Sequence, residues 1–272
     1  VTATHVPAAR RRRSPGWVPQ QHGAWAMLVV PPLVGIAHAG PQPWQALLVA
    51  TWLAGYLAFQ ASALLLKARG KARYRRPVQV YGLGAVVLGA TLLALRPSLT
   101  WWAAVFVPLL AISLAASWRR AERSWLNDVV TVTAACLLAA VAHTPQAATS
   151  PSPAALVGGS VGAWQLVAVL ALYFLGTVAY VKSMIRERGN RAVLAASVLW
   201  HAAAVGVVPV VLGAVGPGRL DPWLTAPLMV LFAALAARAW LVPMRRPGAA
   251  PMAIGLGEIA ASVVLTALLL AA

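Results

Sequence analysis

The sequence predicts an all-α membrane protein, a bundle of nine transmembrane helices, and three observations predict it. Of 272 residues, 61% are hydrophobic and only 10% are charged, a balance that does not fit a soluble core. Apolar runs of bilayer length recur along the chain: about 20 such residues, rising about 1.5 Å each, cross a hydrocarbon layer of roughly 30 Å. Finally, the 22 Lys and Arg, set against 5 Asp and Glu for a net charge of +17, fall in short clusters between these runs. Clusters of that kind mark the cytoplasmic loops of a polytopic protein and exclude a nucleic-acid-binding face. The single cysteine, Cys136, excludes an intramolecular disulfide and a Cys-rich metal site.

Nine spans follow in order. The first runs from His22 to Ala39 and stops at Gly40, Pro41 and Pro43; the second runs from Trp44 to Leu66, ahead of a basic stretch. The third, Val78 to Leu95, ends at Arg96, Pro97 and Ser98, and the fourth covers Leu99 to Trp118. Trp125 to Ala142 is the fifth, followed by a Pro-, Ser-, Thr- and Ala-rich outer loop over Thr144 to Ser160. The sixth and seventh, Gly162 to Val181 and Ala192 to Gly213, precede a Gly216-Pro217-Gly218 break. The eighth and ninth are Trp223 to Leu241 and Met252 to Ala271, separated by Pro243, Pro247 and Pro251. The first twenty residues lack periodicity and read as a disordered basic cytoplasmic tail. Residues 21–272 then form a single transmembrane domain, five helices to about 143 and four from about 162.

Charge sets the orientation. With the N-terminus in the cytoplasm, inner segments carry 20 of the 22 basic residues, leaving Arg96 and Arg219 outside. Dropping an interior span would reverse every later loop, so the split supports nine crossings and an outer C-terminus in a bacterial inner membrane. Tryptophans near both ends of the spans agree, as aromatic belts do. Arg10 to Arg13, the first apolar run and Ala37-His38-Ala39 imitate a secretory signal, but eight further spans and polar opening residues weigh against cleavage.

Polar residues inside lipid need a partner or a wet cavity. They crowd the inner halves: Gln21 and His22; Tyr56, Gln60 and Lys67; Arg75 and Gln79; Asn127, Asp128 and Thr131; Tyr173, Thr177 and Tyr180, leading to Lys182, Arg186 and Glu187; and Glu258. The outer halves are mostly Ala, Val and Leu, so one cavity open to the cytoplasm and closed outside is expected. The bland alternatives are that the cations snorkel to phosphates, that Asp128 and Glu258 pair with Arg123 and Arg238, and that the tyrosines pack helices. His201, near the midplane, is expected to be neutral and bonded to another helix. No Ser/His/Asp set, Walker loop or metal-spaced His/Cys cluster is present, so no metal site is assigned and cofactors are undetermined.

The segment Gln20-Gln21-His22-Gly23-Ala24-Trp25-Ala26-Met27-Leu28, with Pro31, Pro32 and Gly35, resembles the opening signature of the YwiC-like family of bacterial membrane proteins. Lys71 to Pro77, Leu126-Asn127-Asp128 and Tyr180 to Arg188 are similar too. More distantly, nine helices with prominent loops after the second and sixth resemble the UbiA-type prenyltransferases, an all-helical membrane fold. That resemblance implies two aspartate-rich motifs holding Mg²⁺ and a prenyl diphosphate. The sequence departs there: Lys67, Arg69, Lys71 and Arg73, and Lys182, Arg186 and Arg188, occupy the corresponding stretches, with Glu187 alone acidic. Several hard oxygen ligands are missing, so cations would hold a phosphate or carboxylate directly.

Three functional classes stay open. One is a UbiA-like bundle whose basic cavity binds or modifies an anionic amphipathic ligand, as a binding protein or a divergent transferase without the metal motifs. His22 and Asp128 are its acid–base candidates; Gln21, Gln60, Lys67, Arg75, Asn127, Tyr180, Lys182, Arg186 and Glu187 are its ligand contacts. This reading expects Lys67, Arg75 and Arg186 to converge in one pocket. The others are a small-anion transporter and a non-catalytic scaffold. The partners expected are the bilayer and such a ligand, in an undetermined oligomeric state.

Overall fold

The computed structural model describes residues 16–17, 24–144, 160–214, 216 and 219–271. Among them are nine helices and no strand: α1 (Ala24–Ala39), α2 (Pro43–Lys67), α3 (Arg75–Leu95), α4 (Thr100–Trp118), α5 (Trp125–Ala142), α6 (Val161–Val181), α7 (Arg191–Leu212), α8 (Thr225–Arg245) and α9 (Pro251–Leu270). Helices start and stop where local chemistry dictates. Pro43 and Pro251 open α2 and α9, where a missing N–H costs nothing. Ser124, Ser160 and Asn190 cap α5, α6 and α7 with side-chain acceptors. Most of the expected tail and of the expected loop over 144–160 lies outside the described residues. Of the tail, Trp17 packs edge-on against Tyr81, whose hydroxyl donates to the Trp17 carbonyl at 2.8 Å.

Eight of these helices are long and apolar enough to cross a membrane; α1 is the exception. Its 16 residues rise only about 24 Å, and the expected start at His22 is outside the described residues. The shorter helix packs one face against the others, with Val34 fully buried and Pro31 and Pro32 buried beside it, while Trp25, Val29 and Leu33 on its other face stay exposed.

One core joins α1, α5, α6, α7, α8 and α9 through Val34, Cys136, Phe174, Val208, Phe232 and Leu265. A second joins α2, α3, α4 and α5 through Leu48, Leu92, Trp102 and Leu138. Belonging to both, α5 is the spine, and Leu137 to Ala142 are buried without interruption. Hydrogen bonds sort the loops by end. Lys67 pairs with Glu122, Lys182 donates to the Arg123 carbonyl, and Arg188 donates to the Ala249 carbonyl, so the turns after α2, α4, α6 and α8 meet. At the other end, Gln45 reaches Ala142, Arg96 reaches Thr144, and His38 reaches Leu269. Alternating helices thus gather the basic loops at one end, with Arg96 and Arg219 the described Lys or Arg residues at the opposite one.

Candidate functional site

At the basic end, α2 and α4 stop by the same device. After α2, the Gly70 N–H donates to the Leu65 carbonyl at 2.9 Å and Arg69 takes φ +51°. After α4, the Ala121 N–H donates to the Ala116 carbonyl at 2.7 Å and Arg120 takes φ +57°. Both are left-handed C-caps in which glycine is the usual residue. Here they hold arginine, at roughly 1–2 kcal/mol of backbone strain apiece. The two caps wall a cleft of about 610 Å³, with Leu65, Leu66 and Trp118 apolar and Lys67, Arg69, Arg119 and Arg120 basic.

The loop carrying Arg119 and Arg120 is tied down from three directions. Glu122 forms an ion pair with Lys67. Asn127 Nδ2 donates to the Glu122 carbonyl at 2.8 Å. Lys182, only 4% exposed, forms an ion pair with Asp128, donates to the Arg123 carbonyl at 2.9 Å, and lies 4.0 Å over the Trp125 ring. Lys182 opens a π-helical turn, Lys182–Arg186, that ends α6; π-turns recur at functional sites.

Burial alone would raise the Glu122 carboxyl, but the Lys67 ammonium, with a backbone hydrogen bond and Arg123, holds it below the ordinary carboxylate range. A depressed carboxyl stabilises the fold above its unfolded value and loses that contribution as pH falls through the folded value. With Lys67 45% and Glu122 24% exposed, screening keeps the effect within about 1 kcal/mol. Lys67→Met is therefore expected to flatten the acid limb of thermal midpoint against pH. An unaltered slope would assign that limb to other groups.

The remaining candidates are scattered. Gln21 and His22 lie outside the described residues. Gln60 donates to the Tyr56 hydroxyl at 3.1 Å within α2. Arg75 and Arg186 are exposed, and neither lines the cleft with Lys67, so the expected convergence of these three is not what the structure shows. The reason is local: Arg75 heads α3 and Arg186 ends the π-turn, both turned outward. Glu187 accepts from Asn190 at 3.1 Å, and the Tyr180 ring lies 4.3 Å beneath Arg238. His201 bonds through Nδ1 to the Ser197 carbonyl of its own helix at 2.7 Å, not to another helix; its Nε2 side packs against Gly176.

Sequence reasoning singled out neither Arg119, Arg120 nor Glu122 as a site residue, and placed Arg69 only among the cations of the loop after α2, because loop charges read equally well as topology signals. It also expected a single cavity, open to the cytoplasm and closed at the opposite end. A cleft of about 340 Å³ opens there among Gln42, Gln45, His38, His143 and Thr144, since helix termini bring polar groups that apolar span interiors do not reveal. Burial, joined by the nearby His38, holds the His143 imidazole below its ordinary value against a raising bond to the Ala139 carbonyl.

Residues 18–143 match the family described as YwiC-like protein. The uncharacterized protein YwiC of Bacillus subtilis is 34% identical over 178 residues, covering 64% of this chain and 70% of that one. The chain belongs to the YwiC-like family. An uncharacterized protein of Haemophilus influenzae is 25% identical over 184 residues, 68% of this YwiC-like chain and 74% of the relative. No solved structure matches, so the UbiA-type likeness rests on helix order and loop position alone. Both walls of the basic cleft fall inside the matched segment.

Proposed function

We propose that this multi-pass YwiC-like protein binds an anionic amphiphile in the cleft between the basic ends of α2 and α4. By the charge distribution this end faces the cytoplasm. One observation carries the reading: two arginines occupy left-handed positions that glycine would fill without strain, and both line one cleft beside Leu65, Leu66 and Trp118. Guanidinium groups match phosphate or carboxylate oxygens in pairs, and Leu65, Leu66 and Trp118 suit an adjoining chain. Whether the bound molecule is also modified, as in a divergent UbiA-like transferase, is a further step for which Asp128 is poorly placed, being engaged by Lys182.

The test separates binding from folding. Arg69→Gly and Arg120→Gly relieve backbone strain but add freedom to the unfolded chain, about 0.4–1 kcal/mol, so the thermal midpoint is expected to hold or rise. Affinity for dodecyl phosphate, titrated into detergent-solubilised protein, is expected to fall about tenfold or more in each, as befits a lost charge-assisted contact of about 1.5–3 kcal/mol. Equal affinity in wild type and both variants would refute the reading. Transport of a small anion is the second reading, favoured by a polar cleft at each end of the bundle. It requires phosphate flux through reconstituted vesicles, which a binding protein does not give.

A further inference from the structure

A second polar group lies deeper in the bundle, away from the cleft, where α6, α8 and α9 meet. Glu258 of α9 is 9% exposed; one carboxylate oxygen lies 2.7 Å from Arg238 Nη2 of α8, and the other accepts from Thr177 Oγ1 of α6 at 2.9 Å. Behind it, the Tyr173 hydroxyl lies 2.9 Å from Ser262 Oγ and donates to the Glu258 carbonyl at 3.2 Å. The Arg238 guanidinium rests over the Tyr180 ring, which stands nearer the basic end of α6. The ionisable groups gathered at Glu258 are thus Tyr173 and Tyr180 on α6 and Arg238 on α8. His201 of α7 lies beyond Gly176 of α6, near enough to Arg238 for their charges to interact, and described α1 carries only His38, at the opposite end.

Both charges sit seven residues, about 10 Å, from the basic ends of their helices. An apolar pair would join two helices at that depth as well or better, because desolvating two ions offsets their attraction. An ionisable pair within a span is therefore a sign of charge movement. The two partners do not respond alike to a proton. Added to the Glu258 carboxylate, it takes the pair from neutral to a net charge of +1, all of it on Arg238. Neutral Glu258 keeps a partner, since the Thr177 hydroxyl both donates and accepts. Arg238 keeps none at that depth except the face of Tyr180, but its long stem allows the head to move toward the basic end.

We propose that Glu258 is a proton-binding site within the span, and that its protonation releases Arg238 from α9 toward the basic end. The joint between α8 and α9 is then operated by a proton taken from the aqueous phase on that side. No bond other than O–H forms, and the displaced charge is the guanidinium itself. This device does not depend on the α2–α4 cleft.

Infrared difference spectroscopy of the full chain in phosphatidylcholine vesicles tests it. Acidification from neutral pH is expected to raise a protonated-carboxyl carbonyl band that Glu258→Gln removes and Glu258→Asp shifts. In Arg238→Gln, with the paired cation gone, that band is expected at full height already at neutral pH. In Cys136→Ala protein with spin labels at Met244→Cys and Met252→Cys, acid is expected to change the α8–α9 distance, and the change is lost with Glu258→Gln. The proposal is overturned if no Glu258-dependent band appears over the pH range where the protein stays folded. It is equally overturned if Arg238→Gln leaves the band's pH dependence as in wild type, or if the label distance ignores pH.

Discussion

Lys182→Met is expected to destabilise the protein by about 3–5 kcal/mol, the loss that follows when one member of a buried ion pair is removed and the other stays charged. Lys182 has almost no access to solvent, and the Asp128 side chain is 16% exposed. The substitution also removes the donor to the Arg123 carbonyl and the cation over Trp125. The sign of the second substitution is the informative part. In Lys182→Met with Asp128→Asn no charge is left uncompensated, so more than half of the loss is expected to return. Thermal midpoints followed by tryptophan fluorescence in detergent give all four corners of the cycle. A double variant no better than the single one would mean that the amino group matters for the Arg123 carbonyl and not for Asp128. Because Lys182 helps fix the loop bearing Arg119 and Arg120, dodecyl phosphate affinity is expected to drop in the single variant as well.

The spans were legible because burial in lipid demands long apolar runs, and Gly and Pro mark their ends. Helix bounds accordingly agree to within a few residues, as in Trp125–Ala142 for α5. Pairing was legible only in part. The bland alternative of pairing within the basic end describes Glu258, which meets Arg238, both standing the same number of residues from that end. It does not describe Asp128, whose partner is not its chain neighbour Arg123 but Lys182, at the end of α6. No pattern within one segment announces which distant helix lies alongside. The cleft was hidden for a different reason: a positive φ at Arg69 or Arg120 is a property of helix termination, and an arginine at such a position looks like any other loop charge. Arg75 and Arg186 show the converse, charges with the right sign in the right loops whose direction is set by the turn.

Gly35→Val is expected to prevent the native packing of α1 on α5, and Gly35→Ala to cost about 1–3 kcal/mol, as overpacking a close-fitted core does. A Cβ on Gly35 would lie 2.6 Å from the Ala139 Cα and 2.8 Å from its carbonyl oxygen. These are backbone atoms, so no rotamer change relieves the contact, and α5 is buried on every side at this level. The helices approach so closely because apolar side chains gain little from leaving lipid; small residues that let backbones touch supply the packing attraction instead. Two controls make the cause visible in thermal midpoints. Gly55→Ala on α2, where a Cβ meets nothing within 4 Å, is expected to be neutral or mildly stabilising. Ala139→Gly in the Gly35→Ala background is expected to restore nothing, since the obstruction is the α5 backbone and not the Ala139 methyl. Recovery in that double variant would show that side-chain bulk, not contact between the two backbones, sets the distance from α1 to α5.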